Sequence, residues 1–275
     1  MKLVKSEFLF VFILFSNLLI CQKGVLHKYD FSEPAKQIYL DSQLNEISGL
    51  SLSENKLYAH NDEISTIFEI DKSSGEILNK FHFGMKSLKG DYEDLVIVEN
   101  NFFVIESNGN LYSFSNPGND KISECFKIKT GLKSKNDIEG IEFLEKQNSF
   151  LLLCKESAGK GYKGKRAIYE FNPKTNELKK TPEFLIDLKK IKRLTGRKNF
   201  NPSALKKTKE KTLLILDGKG KTLIEIDLSG EILSAVKLNK KLHKQPEGIE
   251  ILNNGTIIIS DEAVKGRPTL TYYQK

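Results

Sequence analysis

The chain is poor in the residues that build most metal and redox centres. It has three cysteines and four histidines. They form no His/Cys cluster, which argues against a zinc site. Cys21 lies in an N-terminal apolar segment, so only Cys125 and Cys154 remain beyond it. Two cysteines make no disulfide framework, and both sit in strand-like runs, where buried free thiols are the expectation. A long unbroken apolar run is also missing. Phe8–Phe15 is interrupted by Ser16-Asn17 before Leu18-Leu19-Ile20, which is short for a membrane span. Neither sign of charge dominates: 43 Lys and Arg face 36 Asp and Glu, a net +7. The lysines are scattered along the whole chain, so the charge reads as a solvated surface and not as a nucleic-acid footprint. No complete catalytic constellation stands out. Gly159-Lys160-Gly161-Tyr162-Lys163-Gly164 matches the dinucleotide fingerprint by letter. It leads into Arg166–Phe171, a strand pattern, where that fingerprint needs a helix N-terminus. It is read as a flexible basic loop.

The N-terminus has the layout of an export signal. Lys2 and Lys5 precede the apolar stretch, and Cys21-Gln22 follows it. Residues 1–21 are read as a secretory signal peptide and 22–275 as one domain. The competing reading is a retained membrane anchor. Cys21 has two readings of its own: the lipidated cysteine of a bacterial lipoprotein, or a neighbour of an ordinary cleavage site. Ile20 stands where a lipoprotein signal needs a small residue, which disfavours lipidation. The expected location is the periplasm or cell envelope, with membrane association through the N-terminus. Removing Lys2, Lys5 and Glu7 takes away a net +1 and leaves +6.

What the chain does have is a unit that recurs five times. Its start reads Asn45–Leu50, Gly90–Leu95, Asn136–Ile141, Phe200–Leu205 and Gln245–Ile249. The small-residue column falls at Gly49, Asp94, Gly140, Ala204 and Gly248, in steps of 45, 46, 64 and 44 residues. Repeats of this length made of short strands imply units that pack on their neighbours. The first unit predicts strands at Ser48–Ser53, Lys56–Asn61, Thr66–Ile70 and Ile77–Phe83. Asn254-Gly255 in the fifth supplies a tight hairpin turn. Four strands per unit, repeated radially, is the blade of a β-propeller. The last unit ends after Thr269–Tyr273 with no fourth strand, and Lys36–Leu40 is left over at the other end. The expected fold is an all-β, five-bladed propeller closed by an N-terminal strand. Between the third and fourth units, Lys189–Thr195 reads as a short helix ending at Gly196. Phe184–Leu188 before it suits either a strand or the helix start.

Two polar columns recur at the unit starts. The first is Glu46, Asp91, Asp137, Asn201 and Gln245, and the second is Ser48, Glu93, Glu139, Ser203 and Glu247. Two residues apart on a strand, they share a face. On the innermost strands they would line the mouth of a central channel. Such a ring of carboxylates calls for raised pKa values, a basic partner or a hard cation. Oxygen-only ligands favour calcium over zinc. Glu93, Glu139 and Glu247 are the expected calcium ligands. Asp91, Asp137 and Glu46 are expected in a second layer. The alternative is structural, with the acids accepting backbone N–H groups. A third acidic column, which includes Asp62, Glu106, Glu156, Asp217 and Glu262, is read as turn residues.

The unit starts carry a family resemblance. Ile138-Glu139-Gly140-Ile141, Pro246-Glu247-Gly248-Ile249, Asp91-Tyr92-Glu93-Asp94-Leu95 and Asn201-Pro202-Ser203-Ala204-Leu205, taken in order, resemble the SdiA-regulated (YjiK/CarP-like) family of bacterial propellers. Asp94 stands where that family has glycine, and Asn201 where it has aspartate. The resemblance implies a five-bladed propeller with a calcium site, exported or membrane-associated, without an established reaction. Three functions compete: a non-enzymatic calcium-binding propeller, a calcium-dependent hydrolase of an ester, lactone or phosphate, and a protein-interaction scaffold. The partner would be a small molecule or an envelope protein, not nucleic acid. His60 is the one histidine near an acidic turn, and as an isolated histidine it is read as a packing or surface residue.

Overall fold

Alternating apolar residues build five antiparallel sheets on one plan, each starting at the axis and stepping outward. A computed structural model describes residues 24–86 and 88–275. Residues 1–21, read from the sequence as an export signal and including Cys21, lie outside the described residues. Blade 1 is Ile47–Ser53, Lys56–Asn61, Thr66–Ile70 and Ile77–Phe83. Blade 2 is Tyr92–Val98, Asn101–Glu106, Asn110–Ser115 and Cys125–Lys129. Blade 3 is Ile138–Leu144, Ser149–Cys154 and Lys165–Asn172, with Glu177–Leu178 and Phe184–Asp187 both on its outer edge. Blade 4 is Pro202–Lys207, Leu213–Asp217, Thr222–Ile226 and Ile232–Lys237. Blade 5 is Pro246–Ile251, Ile257–Asp261 and Thr269–Tyr273. Its outer position is filled by Lys36–Tyr39, which pairs antiparallel with the last strand from Lys36↔Tyr272 to Tyr39↔Thr269.

The first strand of every blade packs against the first strands of the two adjacent blades, the first blade meeting the fifth. The apolar residues on both faces of each sheet then meet those of the neighbours. Five buried clusters result, one for each junction. Phe150 and Leu152 meet Ile105 and Leu111 between blades 3 and 2. Ile215 and Ile224 meet Leu151 and Leu153 between blades 4 and 3. Ile257 and Ile259 meet Leu214 and Leu216 between blades 5 and 4. Leu50 and Phe68 meet Ile258 and Leu270 across the junction of blades 1 and 5. The aromatic-rich cluster of Phe81, Phe83, Phe102 and Phe114 joins blades 1 and 2.

The extra length between the third and fourth units resolves the open choice at Phe184–Leu188. Phe184–Asp187 is a strand paired with Lys165–Asn172. The helix follows as α1, Leu188–Thr195, N-capped by Asp187 through the amides of Lys189 and Lys190 and ended by left-handed Gly196 at φ 71°. The sequence reading assigned no strand to Ile122–Ser123, yet it pairs in parallel with the outer strand of blade 1. Cys125 and Cys154 are free thiols. Among the described residues, no helix is long and apolar enough to cross a membrane.

Candidate metal centre at the channel mouth

All five inner strands begin with the same irregularity. Their ladders to the second strand skip residues after Ile47, Tyr92, Ile138, Pro202 and Pro246. The skipped residue is the second polar column, Ser48, Glu93, Glu139, Ser203 and Glu247, joined in blade 1 by Gly49. A β-bulge leaves one residue unpaired and re-aims its side chain. Strict period-two alternation therefore does not run through the unit start. The first column lies just outside the strand and the second is the bulge itself. Both still reach one place: in blade 3, Lys155 Nζ pairs with Glu139 and lies 3.6 Å from Asp137 Oδ2. In blade 1 the bulge is fixed by His60, fully buried, whose Nε2 accepts from the Gly49 amide at 3.0 Å. Burial lowers its pKa to about 4. That is the packing role of the two read from the sequence.

The residue that follows the second strand in blades 1, 2, 3 and 5 belongs to the site as well. The amides of Asp62, Ser107, Lys155 and Glu262 donate to the carbonyls of Glu46, Asp91, Asp137 and Gln245 at 3.0, 3.0, 2.7 and 3.0 Å. First-column and third-column side chains are thereby set next to each other. In blade 2, Ser107 Oγ donates to Asp91 Oδ2. In blade 3 the pair is Asp137 and Lys155. In blade 5, Gln245 Nε2 donates to Glu262 Oε2. Each of these couples an acceptor to a donor. Blade 1 differs, because its pair is Glu46 and Asp62, and an ionised carboxylate is acceptor-only. Glu262 joins them from blade 5, and ligand oxygens of Glu46, Asp62 and Glu262 lie within 4.8 Å of one another. Asp62 Oδ1 is buried without a hydrogen-bond partner. Burial, followed by the charges of Glu46 and Glu63, raises the Asp62 pKa to about 6. Burial and the charges of Asp62 and Glu46 raise Glu262 to about 8.

Of the expected ligands Glu93, Glu139 and Glu247, Glu139 pairs with the ammonium of Lys155, whose charge also acts on the other two. Burial raises Glu139 to about 7, with Lys155 pulling the other way. Burial, then the charges of Glu139 and Asp91, raises Glu93 to about 11. Glu247 is held well above the carboxylate range by burial and by Glu262 and Glu139. Among the described residues, the one group whose ligand atoms converge within metal-binding reach is Glu46, Asp62 and Glu262. Of the six acids expected from the sequence, it contains only Glu46. Asp62, Glu262 and Lys155 were missed as site residues. Their signal was the spacing of 16 to 18 residues after the first column, which repeats in blades 1, 2, 3 and 5.

Deeper in the channel, Asp94 stands in place of the usual glycine. Its two oxygens accept the Leu95 amide at 2.8 Å and the Ile141 amide at 2.9 Å. It ties blade 2 to blade 3 and is a structural acid. Below it, Lys206 Nζ lies 2.9 Å from Glu250 Oε2 and 3.6 Å from Glu142 Oε2.

A family model described as SdiA-regulated matches residues 23–262. The chain belongs to the SdiA-regulated family. No curated protein sequence matches this member of the family. Among solved structures, it is similar to the glutaminyl cyclase of Myxococcus xanthus, with a TM-score of 0.60 and 12% identity over 88% of this chain and 95% of that one. It is also similar to a luciferin-regenerating enzyme (TM-score 0.57, 9% identity, 88% and 96% covered). The PQQ-bound aldose sugar dehydrogenase of Streptomyces coelicolor gives a TM-score of 0.54 at 10% identity, with 88% and 97% covered. At such identities the likeness is one of fold.

Proposed function

We propose that this SdiA-regulated protein is an exported calcium-binding propeller of the cell envelope, with the cation held at the channel mouth by Glu46, Asp62 and Glu262. One observation supports the reading above the rest. Three blades place a donor beside the mouth acceptor, whereas blade 1 places two carboxylates together and Glu262 adds a third. The donor set is oxygen only, hard and anionic, which suits calcium and not zinc. The unpartnered Asp62 Oδ1 is what a coordinated oxygen looks like without its ion. Asp91, Asp137, Glu93, Glu139 and Glu247 form the acidic surround of that group, with Lys155 balancing part of the charge. A bound divalent cation would neutralise the mouth and, with open positions, supply a Lewis acid. Export rests on the basic start and short apolar run before Cys21. The test is calorimetric titration of the full chain after chelator treatment. Saturable calcium binding that is lost in Glu46→Gln and Asp62→Asn supports the site. An absence of binding at millimolar calcium sinks it.

A second reading, a calcium-dependent hydrolase of an ester, lactone or phosphate, draws on one further feature. A cavity of about 400 Å³ opens beside Glu139 and Glu247 and gives a ligand access to the mouth. Turnover of such substrates that needs calcium would favour it. A broad screen without turnover leaves the binding protein.

A further inference from the structure

The channel mouth has one gap, and it lies at blade 4. Where the other blades supply acids, lysine, serine or glutamine at the first and third columns, blade 4 supplies Asn201 and Gly218. At the bulge it supplies Ser203, whose hydroxyl is engaged by the Pro246 carbonyl at 3.1 Å. No side chain can stand at position 218. A Cβ there would meet the Pro246 carbonyl at 2.7 Å and the Glu247 carboxylate at 3.0 Å. The space left open is the cavity of about 400 Å³.

The walls of this cavity are basic. Lys155, Lys219, Lys221 and Lys244 line it, together with Glu139 and Glu247. Lys155 is taken up by Glu139 and Asp137. Lys219, Lys221 and Lys244 come from two separate segments and form no ion pair among the described residues. Even with both glutamates ionised, four lysines leave an excess of two positive charges in this space. The three converging carboxylates of the mouth thus come from blades 1 and 5, while the lysines without an ion pair stand beside blade 4. Like charges held around a concave opening focus the field on whatever enters it.

We propose that the blade 4 slot is a binding site for an oxyanion group, phosphate or carboxylate, carried by a small ligand. Lys219, Lys221 and Lys244 supply its charge partners as ammonium donors. The Asn201 side chain, which also lines the slot, offers a neutral amide donor. Gly218 and Ser203 leave the room. The slot adjoins the carboxylate group at one point, because Gln245, which lines it, donates to Glu262 Oε2, but its three free lysines are none of the residues assigned to calcium.

The test titrates the full chain, in chelator, with inorganic phosphate and separately with acetate, followed by calorimetry and amide shifts. The site predicts saturable phosphate binding with a Kd near or below about 1 mM. In the triple variant Lys219→Gln, Lys221→Gln, Lys244→Gln it should weaken by roughly tenfold or more. These side chains lie at the surface of the slot, so the variant should melt like the parent. The control Lys209→Gln, Lys211→Gln alters lysines of the cavity near Glu250 and should leave binding unchanged. Displacement of phosphate by acetate would assign the slot to carboxylates as well, and failure to displace would make it phosphate-selective. Absence of saturation up to about 10 mM of either anion, or equal loss in the control, overturns the proposal. Calcium binding measured on the same triple variant should be retained, which separates the two sites.

Discussion

Glu46 and Asp62 face each other at the start of blade 1, their backbones joined by an Asp62 amide bond to the Glu46 carbonyl at 3.0 Å and their carboxylate oxygens within 4.8 Å. Two acceptors at this distance, one of them buried and unpartnered, repel unless a proton or cation lies between them. Neutralising one should therefore act in opposite directions on the two states. Glu46→Gln is expected to raise the melting temperature of the metal-free protein by about 2–4 °C, equivalent to roughly 1 kcal/mol at this chain length. The same change should weaken calcium by about tenfold or more, roughly 1.4 kcal/mol. Melting curves with chelator and with calcium check both signs together. A variant destabilised in both states would mean that Glu46 serves only the fold.

The mouth acids also set a pH dependence. Glu262 rises from an ordinary 4.5 to about 8, and Asp62 from 3.8 to about 6. A carboxyl with a raised folded pKa binds its proton more tightly in the native state, so stability falls as pH rises. The metal-free protein should be most stable below pH 4.5 as far as Glu262 is concerned, and lose that contribution progressively up to about pH 8. Calcium bound by these carboxylates would expel the same protons. The stabilisation by calcium should grow across that window. Parallel melting series at pH 5, 6, 7 and 8, with calcium and with chelator, measure the divergence. Two curves that stay parallel would separate these acids from the metal.

A different outcome is expected below the mouth. Lys206 Nζ sits between Glu250 and Glu142, whose side chains are 2% and 8% exposed. Burial raises the Glu250 pKa while Lys206 pulls it back. Lys206→Met would leave two buried carboxylates without their cation. Removing one partner of a buried pair costs about 3–5 kcal/mol. Denaturant unfolding should show a loss of that order. Lys206→Met combined with Glu142→Gln and Glu250→Gln should recover only part of it, because both oxygens of each glutamate accept backbone amides and a glutamine would turn one donor toward an N–H. An Lys206→Met variant as stable as the parent would mean that water already reaches and solvates the pair.

The five-bladed fold was legible because one period carried it. The small-residue column from Gly49 to Gly248 gave the blade count, and Gly255 and Gly196 marked a turn and a helix end at residues that adopt positive φ. The site was only partly legible. Glu93, Glu139 and Glu247 share a column, but a column in sequence fixes direction and not which neighbour fills the centre. Lys155 follows the end of a second strand and pairs with Glu139 and Asp137. Asp62 and Glu262 looked like turn residues because aspartate and glutamate after a strand have a local explanation. Only the amide bonds to Glu46 and Gln245 reveal that the same positions face the channel. The Ile122–Ser123 pairing was invisible for a related reason: two residues are too few to show a period, and their partner is the edge of another blade.

The N-terminal segment offers the last test. It is attached at two places. The Val25 and Leu26 amides donate to the Glu225 carboxylate in blade 4 at 2.8 and 3.1 Å, and Lys36–Tyr39 pairs along Thr269–Tyr273 in blade 5. Without residues 24–41 the strand Thr269–Tyr273 would present unpaired backbone groups along an edge of high β-propensity. Such an edge templates pairing with other chains. The truncated protein should form soluble oligomers or aggregate as concentration rises, where the parent stays in one species by light scattering. Glu225→Gln separates the two attachments. Its neutral amide turns one acceptor into a donor that faces the N–H groups, at a cost of about 1–3 kcal/mol. Hydrogen exchange should quicken at residues 24–30 while the Lys36–Tyr39 amides stay protected. If the truncated chain remains monomeric with an unchanged melting temperature, the outer strand of blade 5 is dispensable. Residues 24–41 would then matter only outside the folded propeller.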